Sequence, residues 1–241
     1  MNHFNLGPRA LVPLAASVPL RIMPLGASIT YGQASTTGCG YRCDLRAQLL
    51  SAGNTVDFVG SRQHGTPPSG DVDVDVEGWP GFRIDQVHDK ARDVVPRTKP
   101  NVVLINVGTN DAVQNRNVST AGERMAALVE DVLAWSPRAT VVLSTLLVNR
   151  NAATERNVRS INEQLGAVAA GMREAGRRVW LVDMHGDDGP VAGDLADDTH
   201  PNDAGYRKMA NVWYAGLTRV GDLGWLQVPE PVAGLSDHGE V

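Results

Sequence analysis

Five short apolar runs, rich in β-branched residues and bounded by Gly, Pro, Asn or Asp, recur along the 241-residue chain: "PLRIMPLG", "NTVDFVGS", "PNVVLINVG", "ATVVLSTLL" and "RRVWLVDM". Their length and composition predict β-strands. Between them, segments over roughly 40–52, 82–94, 120–135, 154–175 and 203–219 carry apolar residues at helical spacing, such as Met125, Leu128, Val129, Val132 and Leu133 in the third. Strands that read as nearly continuous apolar runs are buried on both faces, so the alternation predicts a parallel sheet covered by helices. The expected fold is α/β, a three-layer α/β/α sandwich whose five parallel strands follow the flavodoxin-like order 2-1-3-4-5. The longest stretches without such a pattern are 61–81, 184–202 and the residues after Gly221.

Composition narrows the function classes. A 42% hydrophobic content supplies a substantial core, and the net charge of −5 comes without a cluster of Lys and Arg, which argues against a nucleic-acid partner. No run approaches the roughly 18 apolar residues of a membrane-spanning helix, so no membrane partner is expected. The segment "ALVPLAASVPL" is apolar but holds two prolines and follows little positive charge, so it gives no clear secretion signal and leaves localisation open. Cys39 and Cys43 are too few for a disulfide scaffold and lack zinc-ligand spacing; they read as free thiols near a helix start, with a local disulfide as the alternative.

In an open parallel sheet, ligands sit beyond the carboxyl ends of the strands, so the residues just after each strand carry the candidate chemistry. Ser28 follows the first strand in "GASITYG" and reads either as a helix cap or as a nucleophile. Thr30 stands where the nucleophile elbow of α/β-hydrolases has its second glycine, which disfavours that fold. His200, in "DLADDTHPNDAGY" after the fifth strand, is the candidate base, with Asp197 three residues earlier as the orienting carboxylate. Asp198 is the alternative carboxylate, disfavoured because adjacent side chains in an irregular turn diverge; the bland alternative makes His200 a helix-entry residue held by Asp203. Asn110, in "NVGTNDA" after the third strand, offers an amide donor to a developing oxyanion, with Asp111 expected to cap the next turn. Gly81, in "EGWPGFRID", offers a backbone N–H to the same oxygen or is simply a loop glycine.

Together these four blocks, in this order, resemble the SGNH (GDSL-type) hydrolases. The resemblance implies a hydrolase domain over 20–220, preceded by an extension at 1–19 and followed by a tail at 221–241. It also implies Ser28 as nucleophile, His200 as base and then acid, and Asp197 as its orienting partner. The N–H groups of Ser28 and Gly81 with the Asn110 side chain would form the oxyanion hole. Ala27 departs from the family's usual aspartate, and a local structural effect is expected there rather than loss of activity. The segments "GYRCDLRAQLLSAGNTVDFVGSRQHG", "DVEGWPGFRID" and "THPNDAGYRKMA" are most similar to the acetylxylan-esterase branch, the third carbohydrate-esterase family.

The implied function is a serine esterase that hydrolyses short acyl esters, acetyl above all, on a small-molecule or polysaccharide substrate through an acyl-enzyme. A lipase, lysophospholipase or thioesterase on the same fold is the first alternative; a catalytically silent carbohydrate-binding domain is the second. Because the base must be neutral to accept a proton, activity is expected to fall on the acid side of neutrality. Trp79, Arg83 and Tyr41 are the expected substrate-binding residues. No cofactor and no metal are expected: "DVDVDVE" alternates Asp71, Asp73, Asp75 and Glu77 like the start of a calcium loop, but Val76 and Phe82 stand where its glycine and final glutamate belong. That run reads as an exposed extended strand or a solvated loop.

Overall fold

The computed structural model describes Leu14, residues 18–68, Gly70 and residues 73–235. Most of the apolar N-terminal segment, Asp71 and residues 236–241 lie outside that set. Five strands, β1 (Leu20–Gly26), β2 (Val56–Phe58), β5 (Val102–Asn106), β6 (Thr140–Ser144) and β7 (Val179–Val182), coincide with the five apolar runs. They pair in parallel in the order β2-β1-β5-β6-β7. The expected strand count is corrected upward: two further strands, β3 (Arg62–Gln63) and β4 (Asp75–Gly78), make the sheet seven-stranded. β2 pairs with the first half of β1, while β4 pairs in parallel with its last residues and carries β3 antiparallel on its outer side.

Of the acidic run, Asp75, Val76 and Glu77 form an extended strand, as one of its two readings expected, but one that lies within the sheet. Val76 and Glu77 are buried, and the Glu77 carboxylate accepts from the Ser61 N–H and the Trp79 Nε1–H, while Asp73 accepts from the Phe58 N–H.

Among the described residues seven α-helices join the strands: α1 (Ser28–Tyr31), α2 (Arg42–Ser51), α3 (Ile84–Thr98), α4 (Thr109–Val113), α5 (Ala121–Trp135), α6 (Ala152–Glu174) and α7 (Asp203–Asp222). Alternate strand residues face opposite layers. Met23, Leu25, Val103, Ile105, Val141 and Leu143 pack against α3, α5 and α6. Leu20, Ile22, Val102, Leu104 and Val142 pack against α2 and α7, where Trp213 is fully buried. This is the expected three-layer sandwich. No described helix is long and apolar enough to cross a membrane.

Cys39 and Cys43 form a disulfide, which corrects the free-thiol expectation. Between them Gly40 takes a left-handed φ of 57° and Tyr41 a helical conformation that leads into α2, and the two Cα atoms lie 5.6 Å apart. At the far end of the sheet, carbonyls of the segment after α7 accept from Arg21, Asn101, Thr140 and Arg138, so this segment straps the amino ends of the strands, away from Ser28.

Candidate active site

Strand register brings the candidate residues to one edge. Gly26 is paired with Gly78 on one side and Asn106 on the other, so three neighbouring strands end level. Ser28, the Trp79–Phe82 turn and Asn110 all lie within four residues of those ends. The approach is close enough that a Cβ on Gly26 would collide with the Asn106 carbonyl oxygen and Thr30. The turn has the pattern of a type II turn, with Pro80 second, Gly81 third at φ 83°, and the Phe82 N–H donating to the Trp79 carbonyl at 3.1 Å. The Trp79 N–H donates to the Gly26 carbonyl, which seats the turn beside Ser28.

The chain Ser28–His200–Asp197 is continuous. His200 Nε2 lies 3.0 Å from Ser28 Oγ, and His200 Nδ1 lies 2.8 Å from Asp197 Oδ2. The other carboxylate oxygen, Asp197 Oδ1, accepts from the backbone N–H groups of Thr199 and His200, both at 2.7 Å. Burial works to raise the Asp197 pKa, but the hydrogen bonds from His200 and Thr199 outweigh it and hold the carboxyl below its ordinary range. The partner of the imidazole is Asp197 and not Asp198, whose carbonyl accepts from the Arg150 N–H. Asp203 does not hold the ring; it accepts from the N–H and hydroxyl of Thr36.

The loop carrying Asp197 and His200 is braced on several sides. Leu195 bridges Pro201, and the Ala196 N–H donates to the His200 carbonyl. Arg150, just before α6, donates to the carbonyls of Ala192 and Leu195. Lys208 Nζ meets Asp194 Oδ2 at 2.6 Å, and that bond chiefly holds the Asp194 carboxyl below its ordinary range.

Asn110 Nδ2 donates to the Phe82 carbonyl at 2.9 Å, which ties α4 to the Gly81 turn and leaves the second amide hydrogen for a ligand. Asp111 is fully buried and does not cap its own turn; its carboxylate accepts from the Ile84 N–H at the start of α3 and pairs with Arg124 at 2.6 Å. The Ser28 and Gly81 N–H groups bond to no backbone carbonyl among the described residues. Ala27 is buried, and its carbonyl accepts from the Tyr31 N–H to close the turn that presents Ser28.

The expected substrate-binding residues divide. Trp79 is half-buried and stacked on Phe82, with Arg62 and Lys90 over its ring at 4.6 and 4.3 Å. Arg83 reaches across the mouth to Gln114 Oε1 at 2.6 Å. Tyr41 is corrected: it is fully buried against Trp213, and burial pushes its hydroxyl well above its ordinary range, so it belongs to the core. Its neighbour Arg42 is also buried. The Arg42 guanidinium donates to five carbonyls, those of Thr30, Tyr31, Gly38, His64 and Val74, and thereby fixes the chain behind Ser28. Sequence reasoning missed this support and that of Arg150.

The chain belongs to the GDSL-like lipase/acylhydrolase family, whose model matches residues 25–208. It is thus an ester hydrolase of the SGNH type. A family 3 carbohydrate esterase from Clostridium thermocellum superposes with a TM-score of 0.75 at 26% identity, covering 85% of this chain and 98% of that one. A carbohydrate esterase family 3 protein from Talaromyces cellulolyticus superposes at 0.73 and 24% identity, covering 84% and 98%. A multidomain esterase from Ruminococcus flavefaciens is 29% identical over 238 residues, covering 88% of this chain but spanning only 30% of that relative.

Proposed function

We propose that this protein is a serine esterase that removes short acyl groups, acetyl above all, from carbohydrate hydroxyls. The observation that carries the reading is the hydrogen-bonded chain from Asp197 through His200 to Ser28. In this mechanism Ser28 Oγ attacks the ester carbonyl while His200 Nε2 takes its proton, and Asp197 holds the ring in the tautomer that leaves Nε2 free to accept. The oxyanion is held by the N–H groups of Ser28 and Gly81 and by the second Nδ2 hydrogen of Asn110. His200 then returns the proton to the leaving alcohol, the acyl group stays on Ser28, and water activated by the same imidazole releases it as the free acid.

The acyl preference is supported by the site mouth. On the Gly81 side Arg62 and Lys90 lie over the Trp79 ring, which stacks on Phe82, and Arg83 reaches Gln114, so charged groups stand where a fatty chain would need apolar surface. The carbohydrate preference is supported by the likeness to family 3 carbohydrate esterases. A p-nitrophenyl ester series from acetate to laurate, run beside acetylated xylan, tests the reading. Activity greatest on acetate, with acetate released from the polysaccharide, is the expected result; a preference beyond about eight carbons would move the protein to the lipases.

A further inference from the structure

A second concavity opens beside the Ser28 site. This cleft, about 500 Å³ in volume, lies between α4, the loop after β6 and the residues leading to His200. Ala112 and Val113, just beyond Asn110, form one rim, and Asp198 and Thr199, just before His200, form the other. Between them lie Asn115, Asn149, Asn151 and Asn157.

The fold orients these amides. Asn149 Nδ2 donates to Thr199 Oγ1 at 3.0 Å, and Asn157 Nδ2 donates to the Ala112 carbonyl at 2.9 Å. Asn151 caps α6, its Oδ1 accepting from the N–H groups of Ala153 and Thr154. Each of three side chains keeps hydrogen-bonding capacity that no described residue uses: the amide NH₂ groups of Asn115 and Asn151, and the Oδ1 of Asn157. A wall of fixed amide donors and acceptors suits a ligand dense in hydroxyls. The apolar lining is limited to Val113 and alanine methyls, which gives an alkyl chain little to bind.

The direction of the reaction decides which half of the substrate meets this cleft. The base that deprotonates Ser28 must hand the proton to the leaving oxygen, so the alcohol half lies on the His200 side and the carbonyl oxygen on the Asn110 and Gly81 side. Thr199 continues the His200 side directly into the cleft. We propose that the cleft is a glycan subsite, in which Asn115, Asn151 and Asn157 hold the hydroxyls of neutral sugar units flanking the one that bears the ester. This rests on the Ser28–His200 reading given above.

Titration of the ¹⁵N-labelled protein with neutral xylo- and cello-oligosaccharides tests the proposal through the asparagine side-chain amides. Saturable shifts at Asn115, Asn151 and Asn157, with Asn101 and Asn211 unmoved, are expected. Absence of shifts at those three, or shifts confined to the Trp79 turn, would overturn it. A double variant adds a kinetic test: Asn151→Asp keeps the capping oxygens but loses the NH₂, and Asn115→Gly suits a backbone at φ 48°. Its kcat/KM on an acetylated oligosaccharide, relative to that on p-nitrophenyl acetate, should fall at least tenfold. An unchanged ratio overturns the subsite and leaves the esterase reading standing. If the parent protein hydrolyses no ester, that reading fails, and the amide titration still decides the cleft.

Discussion

His200 Nε2 lies 3.0 Å from Ser28 Oγ although 172 residues separate them. Two independent supports produce that contact: Arg42 fixes the carbonyls behind Ser28, and Arg150 with Lys208 braces the loop that carries His200.

In the proposed mechanism the Asp197 carboxylate, 2.8 Å from His200 Nδ1, selects the ring tautomer. In Asp197→Asn the amide oxygen can still accept the N–H groups of Thr199 and His200, but the NH₂ then faces His200 Nδ1 and drives the ring proton to Nε2. That tautomer cannot accept from Ser28. The rate should fall about 10³-fold, less than the roughly 10⁴-fold of a fully buried triad, because the Asp197 side chain is 53% exposed. Steady-state kcat on p-nitrophenyl acetate, with circular dichroism confirming the fold, measures it.

Asn110→Ala removes one expected oxyanion donor and the bond to Phe82 together. A loss of about 2.7–4 kcal/mol in transition-state stabilisation should appear mainly in kcat. A drop confined to KM would assign Asn110 to substrate binding instead.

Arg42→Met should lower stability by roughly 3–5 kcal/mol, because five carbonyls lose their donor in a buried setting. Arg42→Lys should recover only part of this, since an ammonium cannot span all five. Thermal denaturation of the three proteins gives the ranking.

Two carboxylates in the His200 loop are held below their ordinary range: Asp194, chiefly by Lys208, and Asp197, where hydrogen bonds from His200 and Thr199 overcome the opposing effect of burial. A depressed folded-state pKa stabilises above the unfolded value of about 4 and loses that contribution as the pH falls through the lower folded value. Melting temperature should therefore decline below about pH 4. Asp194→Ala should give a shallower decline, read from melting curves across acid pH.

The sequence made the main sheet legible because β1, β2, β5, β6 and β7 are apolar runs buried on both faces. It left β4 undecided between an exposed strand and a loop, because acidic and apolar residues alternate there; burial of Glu77 depends on Ser61 and Trp79, which only the folded chain brings close. Ser28 was singled out by its place just after the first strand, and Asp197 and His200 by their D-x-x-H spacing, though each stayed ambiguous until the four blocks were taken together. Tyr41 was misread for the same reason: it follows the first strand, but its burial depends on Trp213, contributed by α7. The work of Arg42 was hidden because its partners are backbone carbonyls, which no side-chain pattern records.

Ser28→Ala tests the central claim most directly, through the rate of p-nitrophenyl acetate hydrolysis by purified, folded protein. The nucleophile role predicts a fall to the level left by the remaining site, several orders of magnitude below the parent. Hydrolysis at the parent rate would contradict it.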